Sequence, residues 1–186
     1  MDIGTISMHY AKALIAYAQE EGVEDTLYQE IENLSESFAA FPQLRESLDN
    51  PLLKAEDKLK LISTAAVGDA EPSAVFVRFV QLVIKQHREV YLQFMCLNYI
   101  HLYHQLKHIA VATLTTAVPV GDETKQRIKD TASLAVHAEM KLQTVVDPSI
   151  EGGFIFDIND YRLDASIATQ LKQVKQQFID KNKRIV

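Results

Sequence analysis

The hydrophobic pattern of this 186-residue chain changes its period near Lys107. Before that point apolar residues recur every three or four positions, as in amphipathic helices. After it, the segment 109–118 is dense in β-branched residues, which is typical of a strand. A chain with this change must separate a helical part from a part that contains a sheet. The pattern predicts an α+β protein, mainly α, with one domain over residues 1–106 and a second over residues 107–186.

Six short helices are predicted in the first domain. Glycine and proline punctuate them, because glycine ends helices readily and proline cannot continue one. Pro72 is expected at the first position of the fifth helix, where its missing N–H costs nothing. Short helices joined by short loops favour a compact six-helix bundle. The punctuation falls at Gly22, Pro42, Asn50-Pro51, Gly68 and Pro72.

The second domain is predicted to have the order β-α-β-β-α. A strand over 109–118 is followed by a helix from Asp122 to about Met140 and a second strand over 142–146. Phe154, Phe156 and Ile158 then alternate with Ile155 and Asp157, which is the period of a strand and indicates a further one. The dipeptide Asn159-Asp160 predicts a turn, after which residues 161–163 return as a short strand.

Four residues are expected to shape this closing hairpin and the helix after it. Gly152 and Gly153 allow a bend or a bulge at the strand entry. Asp164 or Ser166 can accept a hydrogen bond from the free amides that open the terminal helix. Turn and cap roles also account for Asp157, Asp160 and Asp164, whose pattern does not match a calcium-binding loop.

Composition and charge narrow the function classes. The chain is 47% apolar and 24% charged, as in ordinary globular proteins, and its single cysteine, Cys96, excludes an internal disulfide framework. Residues 1–106 contain 8 Lys or Arg against 15 Asp or Glu. This acidic balance repels a phosphate backbone and argues against nucleic-acid binding. We expect no leader peptide, because the N-terminus has neither a basic region followed by an apolar core nor an Arg/Ser-rich amphipathic segment. We expect no direct membrane insertion, because the longest uncharged run is too polar to span a bilayer.

Four motifs in this order resemble the delta subunit family of F-type ATP synthases, which is related to the mitochondrial oligomycin-sensitivity-conferring protein. The resemblance extends over essentially the whole chain. It is carried by the segment Tyr10-Ala11-Lys12-Ala13-Leu14, the Asn50-Pro51 step, Phe79-x-x-Leu82 followed by Arg88, and Gly152-Gly153 with Asp164-x-Ser166.

The resemblance implies a non-catalytic stator subunit that links the catalytic alpha/beta head to the peripheral stalk, so that rotor torque is coupled to ATP synthesis and proton transport. The first domain would bind the N-terminus of an alpha subunit, and the second would contact the b-subunit stalk. No cofactor, metal or catalytic residue is expected. The protein would be monomeric in isolation, and peripheral on the cytoplasmic face of a bacterial inner membrane.

In this family the alpha-subunit segment lies as an amphipathic helix against the first and fifth helices, a helix-in-groove mode of recognition. Carried over to this chain, the groove would be formed by Tyr10, Ala11, Ala13, Leu14, Phe76, Phe79, Val80 and Val83. The alternative is that these residues are the core of the bundle itself, since each of its helices must bury one stripe. Many relatives have an arginine before the Tyr-Ala pair, where this chain has His9.

Two other function classes remain open from the sequence. His101, His104 and His108 at i, i+3 and i+7 would lie near one face of a continuous helix and could hold zinc, although no HExxH motif is present. A helical adaptor unrelated to ATP synthase would also show a bundle. Nucleotide binding is disfavoured because the six glycines form neither a Walker loop nor a GxGxxG motif.

Overall fold

The computed structural model describes residues 3–136, 139–158 and 161–183. The chain forms two compact units, Met1–Lys107 and His108–Val186. The division lies where the hydrophobic pattern changes its period. The predicted fold class, α+β and mainly α, is confirmed.

The first unit is helical throughout. Its interior is built from apolar residues at helical spacing, such as Leu27, Ile31 and Leu34 on the second helix, all fully buried. Its described elements are α1 (Ile3–Glu21), α2 (Glu24–Ala40), α3 (Gln43–Asp49), α4 (Ala55–Val67), α5 (Ala74–Lys85) and α6 (Leu92–Leu106), with a 3-10 turn at Glu89–Tyr91 before α6.

The start of α5 is anchored by a buried carboxylate. Ser73 is the N-cap, and its side-chain oxygen accepts a hydrogen bond from the amide of Phe76. Glu30, on α2, accepts from both the amide and the hydroxyl of Ser73 at 2.6 Å. The prediction that Pro72 occupies the first position of this helix is therefore wrong. Pro72 lies one residue before the N-cap. The Ser73 side chain at the cap accepts a hydrogen bond from a free amide of the first turn, whereas a proline at the first position would only lack an amide.

The second unit contains a four-stranded sheet among its described residues. All four predicted strands are present, although the order β-α-β-β-α names only three. The elements are β1 (Ile109–Thr116), α7 (Asp122–Val136), β2 (Glu139–Val146), a 3-10 turn at Pro148–Ile150, β3 (Phe154–Ile158), β4 (Tyr161–Asp164) and α8 (Ile167–Lys183). Strands β1 and β2 are parallel and are connected through α7, while β1–β3 and β3–β4 are antiparallel, giving the order β2-β1-β3-β4.

Two predicted boundaries in this unit are wrong. The helix expected to reach about Met140 ends at Val136, and the strand expected from Leu142 begins at Glu139. Tertiary pairing explains both, because Glu139 and Met140 lie opposite the first residues of β1 and Met140 is buried there. The predicted turn at Asn159-Asp160 lies outside the described residues.

Candidate partner-binding groove and the C-terminal hairpin

A surface groove of about 250 Å³ opens between α1 and α5. Each helix contributes four lining residues, at positions i, i+3, i+4 and i+7. This is the spacing at which one face of a helix repeats, so each wall is a continuous face of its helix. The lining consists of Tyr10, Ala13, Leu14 and Tyr17 from α1, and Val75, Arg78, Phe79 and Leu82 from α5.

The eight predicted groove residues divide into two sets. Four of them line the groove: Tyr10, Ala13, Leu14 and Phe79. The other four are fully buried and belong to the core of the helical unit: Ala11, Phe76, Val80 and Val83. The split follows from the rotation of each helix about its axis, which periodicity alone does not specify.

Four lining residues were not among the predicted site residues: Tyr17, Val75, Arg78 and Leu82. The helical spacing could have identified Tyr17, because it stands at i+7 from Tyr10 and therefore lies on the same face of α1. Leu82 is 48% exposed although it lies on a helix with a strong apolar face. An exposed leucine beside an apolar groove is available to a partner.

Two arginines hold the tyrosines at the ends of the α1 wall. Arg78 donates a hydrogen bond to the hydroxyl of Tyr17 at 2.5 Å. Arg88 donates to the hydroxyl of Tyr10 at 2.9 Å, and its guanidinium carbon lies 5.4 Å from the centre of the Tyr10 ring. These contacts hold both aromatic rings in place and add cation–π attraction at Tyr10. His9 is exposed and is not part of the lining.

In the second unit, the backbone at Gly152 and Gly153 lies directly against the backbone of residues 165–167, a close approach called here the Gly152–Gly153 crossing. Gly153 has φ of +73°, and a Cβ there would overlap the backbone oxygen of Ala165. The amide of Ala165 bonds the oxygen of Phe154 at 2.9 Å, and the amide of Ile167 bonds the oxygen of Gly152 at 3.0 Å. The backbone at Gly153 therefore approaches the start of α8 too closely for any side chain.

The cap of α8 uses both residues that the sequence offered as alternatives. One carboxylate oxygen of Asp164 accepts from the amide of Ser166 at 3.0 Å and from its hydroxyl at 2.6 Å. The other accepts from the hydroxyl of Thr169, while the Ser166 hydroxyl accepts from the Thr169 amide. The bond from the Ser166 hydroxyl is the main cause that lowers the pKa of Asp164 below its ordinary value. This network ties β4 to α8.

The terminal helix presents apolar residues to solvent. Four of its described apolar side chains are 39–56% exposed: Ile167, Leu171, Val174 and Ile179. Ile167, Leu171 and Val174 stand at i, i+4 and i+7 and form one helical stripe, and Ile179 lies outside it. A stripe of this size on a terminal helix is typical of a contact surface.

The described residues hold no cluster of three or more His, Cys, Asp or Glu side chains placed to bind a metal ion. Helix α6 ends at Leu106, and His108 follows it with φ of +53°, so the three histidines do not share one continuous helix. His104 contacts the hydroxyl of Tyr28 at 3.0 Å, and His101 contacts Gln105. Burial raises the pKa of the Cys96 thiol to about 12, which keeps it protonated and inert.

None of the described helices is both long and apolar enough to cross a bilayer.

Comparison with known proteins identifies relatives over the full length of the chain. The chain is 64% identical to ATP synthase subunit delta of Bacteroides thetaiotaomicron and 60% identical to that of Bacteroides fragilis, in both cases over the whole of both chains. Its fold is similar to that of a chain in the cryo-EM structure of the Toxoplasma gondii mitochondrial ATP synthase hexamer. That match has a TM-score of 0.71 at 17% identity and covers 93% of this chain and 97% of the other.

The family model for the ATP synthase delta (OSCP) subunit matches residues 6–178. This match takes in both units, the α1–α5 groove and the glycine hairpin. The chain therefore belongs to the ATP synthase delta (OSCP) subunit family.

Proposed function

We propose that this chain, a non-catalytic stator subunit of an F-type ATP synthase, holds the N-terminal helix of an alpha subunit in the α1–α5 groove and binds the b-subunit peripheral stalk through its second unit. Rotor torque acts on the catalytic head, and a stator must resist it through its contacts. Such a part needs interfaces on rigid elements rather than a reaction centre. We place it, by extension, as a monomer in isolation that joins the complex at the cytoplasmic face of a bacterial membrane.

The groove supports the alpha-subunit contact most directly. Its two walls repeat at i, i+3, i+4 and i+7, which matches the spacing at which an amphipathic helix presents its own apolar anchors. Ala13 is exposed on the α1 wall and has a small side chain, so a partner backbone can approach closely there. Leu14 and Phe79 supply an apolar floor.

The exposed apolar stripe of α8 supports the stalk contact. It lies on a helix that is held to the sheet by the Asp164 cap and the Gly152–Gly153 crossing. A stalk helix can pack its apolar face against such a stripe. The cap and the crossing would then position the contact surface rather than take part in it.

The groove assignment is tested by calorimetric titration of the full chain with a synthetic peptide of the first 25 residues of the alpha subunit from the same organism. We expect saturable one-to-one binding with a negative heat-capacity change, the mark of apolar burial. Substitution Ala13→Glu should weaken binding about tenfold or more, because it buries a carboxylate in an apolar groove.

Substitution Ala16→Glu is the matched control, since Ala16 is exposed on the same helix but does not line the groove. It should leave the affinity unchanged. Equal affinities for the two variants, or no binding by a chain that unfolds cooperatively, would exclude this groove as the alpha-subunit site.

A further inference from the structure

Helix α5 and the part of α1 that lines the groove carry a positive charge, opposite to that of the surrounding unit. Residues 1–106 hold 15 acidic and 8 basic residues, yet α5 contains no Asp or Glu and α1 contains none before Glu20. The charged residues on these stretches are Lys12, Arg78 and Lys85, and all three are exposed. Arg78 is the charged residue among the lining residues, so the groove is positive in a unit with an acidic excess.

Arg78 belongs to the lining of the groove, and Arg88, outside the lining, is bonded to Tyr10 at the other end of the α1 wall. Each donates to a tyrosine hydroxyl, which is a neutral acceptor. Among the ion pairs of the described residues, neither arginine has a carboxylate partner. A guanidinium has five N–H donors and keeps its full charge, so both arginines retain donors for an incoming acceptor.

The two tyrosines to which the arginines are bonded have a fixed spacing on α1. Tyr10 and Tyr17 are seven positions apart on α1, which places them two turns, or about 10.5 Å, apart along one face. Between them lie the small Ala13 and the apolar Leu14. The groove thus has an apolar centre with a positive charge at each end.

We infer that the groove selects an amphipathic helix whose apolar anchors are flanked by two carboxylates about two turns apart, one for Arg78 and one for Arg88. The inference rests on the proposed function, because it takes the occupant to be the N-terminal helix of the alpha subunit. It adds the charge that the occupant must carry. Complementary charges of this kind set the register and speed the encounter.

The first test measures binding of the same 25-residue alpha-subunit peptide to the full chain with Arg78→Gln. We expect affinity to fall about two- to fivefold, the range of an exposed ion pair. Arg78→Lys should recover part of the loss, because lysine restores the positive charge but lacks the paired N–H donors of a guanidinium group. Lys60→Gln, an equal charge change at an exposed position on α4, should have no effect. Binding by the unchanged chain should weaken between 50 and 300 mM NaCl.

The second test changes the peptide instead of the protein, so protein folding does not enter. Each flanking Glu or Asp of the peptide is replaced by its amide. The loss on removing the carboxylate opposite Arg78 should largely disappear in the Arg78→Gln chain, as a double-mutant cycle requires for a direct pair. A peptide sequence that has no carboxylates two turns apart around its anchors would overturn the inference outright.

The outcomes separate the two proposals. Failure of the unchanged chain to bind the peptide would overturn both. If the chain binds and Ala13→Gln weakens binding, but neither Arg78→Gln, peptide amidation nor salt changes the affinity, the groove assignment stands and the charge inference is wrong. Ala13→Glu should also bind more weakly than the equally sized Ala13→Gln, because its carboxylate repels the carboxylates of the partner.

Discussion

At the scale of single residues, Gly153 illustrates a position whose identity is dictated by the backbone. Its φ is +73°, and the oxygen of Ala165 occupies the space that a Cβ would need. The Gly-Gly pair was recognisable in the sequence as a bend because only glycine adopts such a conformation without cost. The crossing that excludes a side chain became visible only in the folded unit.

We predict that Gly153→Ala destabilises the second unit by more than about 1 kcal/mol, the usual cost of a left-handed conformation for an alanine, because backbone overlap adds to it. Gly121→Ala is the control, since a Cβ at Gly121 meets no atom within 4 Å. The measurement is urea unfolding of the full chain, with circular dichroism as the signal. Equal midpoints for the two variants would show that the crossing relaxes without cost.

At the scale of elements, α4 and the 3-10 turn before α6 are joined by a buried ion pair. The Nζ of Lys58 lies 2.9 Å from a carboxylate oxygen of Glu89, and both side chains are at most 10% exposed. The two residues are 31 positions apart, and each looks like an ordinary surface charge in the sequence. Burial makes the two charges interdependent, because either one alone would be left without compensation.

We predict that Lys58→Met destabilises the first unit by about 3 kcal/mol, since it leaves the Glu89 carboxylate buried and unpaired. The double variant Lys58→Met, Glu89→Met should recover most of this loss. Lys60→Met, an exposed position on the same helix, should change the free energy of unfolding by less than about 0.5 kcal/mol. Unfolding in guanidinium chloride gives the free energy of unfolding of the wild-type chain and of the three variants. A small effect of Lys58→Met alone would mean that water reaches the pair.

At the scale of the whole molecule, the chain has two units, and each has its own core and its own candidate contact surface. The first offers a groove between two helices, and the second offers an exposed stripe on a terminal helix. The family match over residues 6–178 confirms the prediction of a delta-type stator subunit without catalytic chemistry. It also excludes a helical adaptor unrelated to ATP synthase.

We predict that weakening the groove impairs energy coupling. Membranes that carry the complex without this subunit should regain ATP-driven proton pumping when the wild-type chain is added back. The Ala13→Glu chain should require several-fold more protein for the same pumping, because fewer heads are held at a given concentration. Ala16→Glu should behave like the wild type. Identical titrations for Ala13→Glu and the wild type would show that binding in the groove is not needed for energy coupling.

Much of this architecture was predictable because it rests on local chemistry. The change of period near Lys107 indicates a helical part and a sheet-containing part, since the periods of 3.6 and 2 are properties of the elements themselves. The Asp164–Ser166 cap and the Gly153 bend were predictable for the same reason, as each acts within a few residues. The order of the motifs along the chain was enough for the family resemblance.

Tertiary packing decided what these local patterns leave open. Periodicity identified apolar stripes on α1 and α5, but only the packed helices show that Ala11 and Val80 are buried while Ala13 and Leu82 face outward. Pairing with β1 likewise assigned Met140 to a strand rather than a helix. The sequence alone determined which elements form and where the chain divides, because those depend on neighbouring residues. Contacts between distant residues decided which side of each element is free to bind a partner.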